Sequence, residues 1–250
     1  MAPLTIHQYQ KKCFNEYTES IKFPKETSYL HGNPVRTVVP IETAIGKIMI
    51  IGPQPAPRVY FENAIPDVPL CDGLAPFSIE PYFDGSRVRS SFTGQELSEV
   101  ILETLEIKRE ECWLTSLVKV HLFDDDTVKK FHRLGKEVKE MKSKYMQYAN
   151  KSMQWIRDEI EIANPYAIIL LGEQVISSLL LCTEEEAREH MTGKVIEKKI
   201  IWKNSNFICL PPPGVIMDRS ARNLWPRKFA IQIGPVALKE LERLRSQPTI

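Results

Sequence analysis

Side chains that could do chemistry follow the first strong apolar run of the chain, Lys47 to Ile51. Gln54 lies in the Gly/Pro-rich loop directly after that run, and its amide can position a water molecule or hydrogen-bond a ligand without carrying charge. Asp72 and Asp84 add carboxylates further along, each of which could act as an acid or serve as a turn or capping residue. Phe77, between them, can stack on a planar group. Together they offer a water-positioning group, a negative charge and a stacking surface.

Four apolar segments that end in loops indicate the framework that positions these side chains. They span residues 47–51, 112–119, 166–171 and 206–210, with helical patterns between them. Such runs are typical of strands buried on both faces, and their alternation with helices predicts a parallel sheet between two helical layers. We therefore predict an α/β fold, a three-layer α/β/α arrangement with a central, mainly four-stranded parallel sheet. Ligands of such sheets bind at the carboxyl ends of the strands, where the loops converge.

The domain organisation follows from where the first strand begins. Residues 1–46 are expected to form an N-terminal helix and an irregular extension packed on the core, and residues 47–250 the α/β/α domain. Thr93 with Glu96, and Thr183 with Glu186, have the spacing of capping boxes, which predicts helices at 94–106 and after 183. Residues 52–92 carry seven prolines and are expected to form a long loop, ordered by its aromatic residues.

Composition and charge restrict the class of protein. The net charge is +1, so any nucleic-acid surface must be a local basic patch. The five cysteines are scattered and include no Cys-x-x-Cys pair, which favours free thiols over a disulfide framework or a zinc ribbon. Asp124 to Asp126 favour a helix start over a metal cluster, so no metal site is predicted. No segment has the character of a membrane span or of a signal peptide, and we expect a cytoplasmic monomer that contacts no membrane.

The order of the strand ends resembles that of the uracil-DNA glycosylase superfamily, over about Lys47 to Phe229. Gly52 and Pro55 match the glycine and proline of the Gly-Glu-Ala-Pro-Gly loop that ends the first strand in the thermophilic branch. Pro76-Phe77 is similar to the Pro-Phe pair whose Phe stacks on the extruded base. The other similar segments are Gly94 to Leu97, Leu114 to Lys119, Asn164 to Gly172 and Pro212 to Gly214.

The resemblance implies a DNA glycosylase of this fold. Such an enzyme flips a base out of DNA and breaks its N-glycosidic bond through an oxocarbenium-like sugar. The base pocket implied by the resemblance consists of Gly52, Pro53, Pro55, Phe77 and Ser116. The partner is DNA, and the sequence leaves open whether it is single- or double-stranded.

The chain departs from the family at the positions that carry chemistry. The first loop has Pro53 and Gln54 at the two positions where the family carries its acid. Ser116 replaces the Asn that reads the uracil edge, and its smaller size would leave room for a base bulkier than uracil. Pro212 replaces the His that stabilises the leaving base. The catalytic candidates are therefore Gln54, Asp72 and Asp84. Because the cluster-binding cysteines are not matched, we predict no iron–sulfur cluster and no other cofactor.

Two basic segments could contact DNA. Arg87 and Arg89 form the first, in a predicted turn. In the second, a Pro-rich loop is followed by apolar residues and then by arginines, which is the pattern of a loop that inserts into the minor groove while cations bind phosphates. Its members are Pro212, Pro213, Gly214, Val215, Ile216, Arg219 and Arg222. An ordinary strand-to-helix connection with a solvated basic face is the alternative interpretation.

Three functions remain open at this point. The first is a DNA glycosylase that removes a damaged or modified base, either uracil or a bulkier one, with a rearranged active site. The second is a relative of the same fold that binds nucleic acid or a base but has lost catalysis. The third is an unrelated small-molecule α/β enzyme. His121, just past the second strand, is the only histidine near the predicted crevice.

Overall fold

The structure, a computed structural model, describes residues 4–83, 88–90, 92–200, 203–218 and 220–247. The described strands are β1 (Ile48–Gly52), β2 (Pro57–Glu62), β3 (Ile65–Asp72), β4 (Pro81–Phe83), β5 (Val88–Ser90), β6 (Cys112–Ser116), β7 (Ala167–Leu171), β8 (Val195–Ile200) and β9 (Lys203–Leu210). The described α-helices are α1 (Ile6–Ser20), α2 (Phe92–Glu96), α3 (Asp125–Arg133), α4 (Tyr145–Ala163), α5 (Glu173–Leu180), α6 (Glu184–His190), α7 (Pro213–Met217), α8 (Trp225–Lys228) and α9 (Gly234–Arg245). Two π-helical segments, Leu97–Leu102 and Phe229–Ile233, and two 3₁₀ turns, Arg109–Glu111 and Lys142–Lys144, complete the described helical structure.

The central sheet has the strand order β6-β1-β7-β9-β8. Neighbours among β6, β1, β7 and β9 run parallel, and β8 joins the edge antiparallel to β9. Every residue of β1, β6 and β7 is buried, as expected of strands covered on both faces. The predicted three-layer fold with four parallel strands is therefore confirmed.

A separate apolar cluster lies on each face of this sheet. Alternate strand residues divide between them, because successive side chains of a strand point to opposite faces. Met49 and Ile51 face the cluster that includes α1 and α4, whereas Ile48 and Ile50 face the one that includes the π-helix Leu97–Leu102 and α9. Both clusters extend to the carboxyl edge of the sheet, where Trp225 packs against each of them.

The N-terminal helix closes a buried charged network beneath the sheet. Lys119 Nζ pairs with Glu159, and both side chains are 0% exposed. Glu159 also accepts hydrogen bonds from Tyr9 Oη of α1 at 2.5 Å and from Trp113 Nε1 at 3.1 Å. A buried ion pair is tolerated only when its remaining polar atoms are satisfied, so α1 is part of the core that it covers. The boundary of the α/β/α domain at residue 47 stays a prediction.

The segment 52–92 differs most from expectation. It is not one long loop, because β2 and β3 form one antiparallel ribbon and β4 and β5 form another. Proline can occupy these strands because each strand has a partner on one side only, where a missing N–H need not break a ladder. The β2–β3 ribbon precedes the segment that carries Phe77, and the β4–β5 ribbon follows it.

Two helix-start predictions are confirmed and one is wrong. Asp124 caps α3 by accepting a hydrogen bond from the Thr127 N–H at 2.9 Å, and Thr183 forms the predicted capping box with Glu186. The box predicted for Thr93 and Glu96 does not form, because α2 already begins at Phe92 and Thr93 lies within its first turn. None of the described helices has both the length and the apolar character to cross a membrane.

Candidate functional site

Backbone hydrogen bonds join the loops that follow β1 and β6. Gly52 lies opposite Ser116 in the parallel register, the Leu117 N–H donates to the Gly52 carbonyl at 2.8 Å, and the Val118 N–H donates to the Pro53 carbonyl at 3.0 Å. Ser116 is only 1% exposed. The structure thus brings together three residues of the predicted base pocket, with Ser116 buried behind the first loop.

Phe77 packs directly on Gly52. A Cβ atom built on Gly52 would lie 3.0 Å from Cε2 of Phe77 and closer still to its Cζ, so the ring occupies the space that any other residue would need. The backbone of Phe77 is left-handed, with φ at 54°. Its carbonyl accepts a hydrogen bond from Arg109 Nη2 at 2.5 Å, and Arg109 Nε pairs with Glu42 at 2.8 Å. Phe77 is therefore held over the first loop.

Gln54 faces the segment after β6. Its Nε2 lies 3.4 Å from the Leu122 carbonyl and 3.3 Å from His121 Nδ1, and its Oε1 accepts from the Leu122 N–H at 3.4 Å. The Pro55 carbonyl is 3.4 Å from the same His121 nitrogen. Both ends of the Gln54 amide are thus engaged, and its contacts tie the first loop to residues 121 and 122.

His121 is the histidine that the sequence placed near the crevice. Burial lowers the pKa of its imidazole to about 4, so the ring is neutral at pH 7. Its Nε2 is buried and has no hydrogen-bond partner in the described part of the chain. The ring stacks on Tyr29 and meets the edge of Phe123, with centroids 6.5 and 5.7 Å away. It is a packed residue behind the first loop.

A cavity of about 340 Å³ opens at the carboxyl ends of β1, β7 and β9. Its wall includes Pro53 from the loop after β1 (the first loop), Gly172 from the loop after β7 (the second loop) and Pro212 from the segment after β9 (the third loop, residues 211–217, which includes α7). Val215 of α7 and Trp225 of α8 also border the cavity. The second and third loops touch, since a Cβ atom on Gly172 would lie 3.3 Å from Pro212 Cγ. The volume is that of a small-ligand pocket. Gly52, Phe77 and Ser116 are not part of this wall, so the cavity lies further toward β7 and β9 than the predicted pocket.

Polar side chains reach the cavity from the start of α5. Glu173 Oε1 pairs with Arg188 Nε at 2.8 Å, which fixes its carboxylate. Gln174 is partly buried, and its side-chain amide has no hydrogen-bond partner among the described residues. Glu184 and Lys142 complete the charged part of the wall. Sequence reasoning missed these residues, although Glu173 and Gln174 directly follow the Leu171-Gly172 strand end, where parallel sheets bind ligands.

Asp72, the predicted catalytic carboxylate that the structure describes, does not line this cavity. Asp72 accepts hydrogen bonds from Tyr29 Oη at 2.7 Å and from the Arg36 N–H at 2.9 Å. It lies opposite Pro57 in the β2–β3 ribbon, and burial raises the pKa of its carboxyl group. Asp84 lies outside the described residues. A catalytic role for either stays a prediction.

Glu96 is a second carboxylate that the sequence did not identify. Its Oε2 lies 3.4 Å from the position that a Cβ atom on Gly214 would take, so it borders the third loop. It has no hydrogen-bond partner among the described residues, and burial raises the pKa of its carboxyl group. Two residues earlier, Gly94 packs on the carbonyl of Phe77. Glu96 therefore lies between the Phe77 segment and the third loop.

The predicted DNA-binding loop is partly a helix. Pro212 precedes α7, which begins at Pro213 and contains Gly214, and the Ile216 N–H donates to the Pro212 carbonyl at 3.3 Å. This turn points Ile216 into the core, where it is 7% exposed. The burial of Ile216 disfavours it as part of an inserting wedge, whereas Val215 and Met217 lie at the surface, and DNA contact by this segment stays a prediction.

The basic residues predicted to bind DNA are described only in part. Arg222 is exposed. Arg89 lies in β5, and only its backbone is described. Arg87 and Arg219 lie outside the described residues. Across the described ranges, no group of three or more His, Cys, Asp or Glu residues could hold a metal ion.

Comparison with known proteins assigns the family. No curated protein matches the chain. A family model described as the uracil DNA glycosylase superfamily matches residues 43–233, about three quarters of the chain. The matched range contains the central sheet and the loops that line the cavity. The chain therefore belongs to the uracil DNA glycosylase superfamily.

Proposed function

We propose that this protein is a DNA glycosylase that holds an extruded base in the cavity at the carboxyl edge of its sheet. The observation that carries the proposal is the cavity itself, which lies where three strand-end loops converge in a chain of this superfamily. Flipping a base out of the stack costs a few kcal/mol, and a pocket must hold the base while the bond breaks. The substrate is a damaged or modified base, either uracil or a bulkier one.

The reaction breaks the bond between the base and C1′ of the sugar, and water adds to C1′ while the base leaves with a proton. The oxocarbenium-like sugar benefits from a nearby anion. Pro53 and Pro212 carry no charge, and the Gln54 amide is engaged with residues 121 and 122. We assign the anion to Glu173, whose carboxylate borders the cavity and is fixed by Arg188.

DNA would approach from the side of the third loop. Val215 and Met217 offer apolar side chains there, and Arg222 offers a cation for a phosphate. These exposed side chains support a DNA path over α7 and α8.

A base-binding protein without catalysis is the second candidate. It is favoured by the prolines at positions 53 and 212, where the family has a chemical group, and by the contacts that already occupy Gln54. A protein with these replacements would keep the pocket but lack the family's acid and the donor that stabilises the leaving base.

One experiment separates the two candidates. Purified protein is incubated with single- and double-stranded oligonucleotides that carry a panel of bases, and abasic sites are revealed by alkaline cleavage. We expect product from at least one base, and about a tenfold to hundredfold slower reaction for Glu173→Gln, because one electrostatic group is lost. Glu185→Gln, an exposed change in the first turn of α6, is the matched control and should react like the wild type.

The other outcomes are equally informative. Binding that depends on the base, without abasic product from any of them, would select the non-catalytic candidate. Neither binding nor product across the panel would contradict both. Equal rates for Glu173→Gln and wild type would remove Glu173 from the mechanism while leaving the activity in place.

A further inference from the structure

We infer that Gln174 reads the hydrogen-bonding edge of the bound base, in place of a side chain at the end of β6. This inference rests on the proposed function, because it names the contact that selects the base in that cavity. An amide offers one donor group and one acceptor side by side, and can form two hydrogen bonds with a base edge that presents a donor next to an acceptor.

The first support is the position and freedom of the Gln174 side chain. It borders the cavity, is partly buried and has no hydrogen-bond partner among the described residues. Its backbone is well anchored, because the Gln174 carbonyl accepts from the hydroxyl groups of Ser177 and Ser178 at 3.3 and 2.7 Å. A fixed backbone with an uncommitted amide suits a residue that meets a ligand.

The second support is that other polar groups at this edge are already committed or too short. Gln54 contacts residues 121 and 122 through both ends of its amide. Asn223 Nδ2 donates to the carbonyls of Val215 and Asp218 at 2.6 and 2.8 Å. Ser116 has a single hydroxyl and is buried behind Gly52.

The neighbours of Gln174 explain how selection would work. Its amide can rotate to match either a keto group beside a ring N–H or an amino group beside a ring nitrogen. The ion pair with Arg188 restricts the side-chain rotation of the neighbouring Glu173, so the Glu173 carboxylate keeps one orientation at this wall. The amide therefore favours a base that presents a donor beside an acceptor, and a base that lacks either group binds less well.

The test measures binding and catalysis separately for Gln174→Leu and Gln174→Glu. Leucine keeps the approximate volume without hydrogen bonds, and glutamate can only accept when ionised. Binding is measured on oligonucleotides that carry each base of the panel, with an abasic-site analogue as the reference without a base. Gln154→Leu, which changes an exposed glutamine of α4, is the matched control. Thermal unfolding of every variant checks that the fold is retained.

We expect wild type and Gln154→Leu to prefer the same base. Gln174→Leu should lose about tenfold or more of that preference, as expected for a bidentate contact. Gln174→Glu should change the order of preferred bases, which a purely structural residue would not do. An unchanged order and strength of preference in both Gln174 variants would overturn the inference.

If the wild type binds bases selectively but forms no abasic product, the glycosylase proposal fails while the role of Gln174 is still tested by the binding data. A wild type that binds no base overturns both.

Discussion

Replacing Gly52 with alanine tests whether Phe77 is truly packed on the first loop. The added Cβ atom would meet the Phe77 ring, at 3.0 Å from Cε2 and closer to Cζ. The ring has little room to withdraw, because the Phe77 carbonyl is bonded to Arg109 at 2.5 Å and packs on Gly94. Gly52 has no positive φ, so the substitution adds no backbone strain of its own. Overpacking of this kind costs about 1–3 kcal/mol.

Urea unfolding of a double-mutant cycle isolates that cost. We expect Gly52→Ala to lower the free energy of unfolding by about 1–3 kcal/mol and Phe77→Leu, which removes the outer ring atoms, by less than about 1.5 kcal/mol. The double variant should be more stable than the sum of the two changes by at least about 0.5 kcal/mol, as for residues in contact. Additive losses, or a Gly52→Ala protein within about 0.3 kcal/mol of wild type, would refute the contact.

Three further predictions concern buried ionisable groups. Lys119→Met leaves Glu159 without its cation and should lower the free energy of unfolding by about 3–5 kcal/mol in urea titrations, and a loss under about 1 kcal/mol would contradict a dry ion pair. The pKa of His121 is depressed to about 4 in the folded protein, so the unfolded chain binds the extra proton as the pH falls below its usual value near 6.5. The wild type should lose about 2 kcal/mol between pH 7 and pH 5, His121→Asn should lose less, and His132→Gln, an exposed control, should match the wild type. Burial raises the pKa of the Glu96 carboxyl group, so its ionised form is disfavoured in the fold and its contribution falls as the pH rises through that pKa. Glu96→Gln should therefore be slightly more stable than wild type at pH 8, by less than about 1 kcal/mol, and indistinguishable at pH 4, whereas an equal gain at both pH values would exclude a titration effect.

The central sheet could be predicted because its signals are local and strong. A run such as Lys47 to Ile51 has no polar face to expose, and a Gly/Pro loop ends it, so a buried strand is the simplest interpretation. The ribbons β2–β3 and β4–β5 could not be predicted in the same way. Their prolines signal a loop in sequence, and only pairing with a single neighbour makes them compatible with a strand.

The candidate site was predicted less well, because its side chains depend on where helices begin and which way they turn. Glu96 has the spacing of a capping box with Thr93, but α2 begins at Phe92 and its carboxylate instead borders Gly214. Ile216 follows a Pro-rich segment that suggests a rigid loop, but the first turn of α7 buries it. Gln174 lies two residues beyond Gly172, where the segment that resembles the family ends.

The contact between Phe77 and Gly52 also bears on where a base can lie. A planar base packed between two groups needs about 3.5 Å on each face, so the two groups must stand about 7 Å apart. The Phe77 ring instead fills the space directly above Gly52, and Ser116 is buried beside them. In this conformation no base can lie between Phe77 and the first loop. Open space is found on the far side of Pro53, where Gly172 and Pro212 meet. The start of α5 brings Glu173 and Gln174 to the wall of that cavity, directly after the end of β7, and these two side chains are therefore the ones proposed to act on a base bound there.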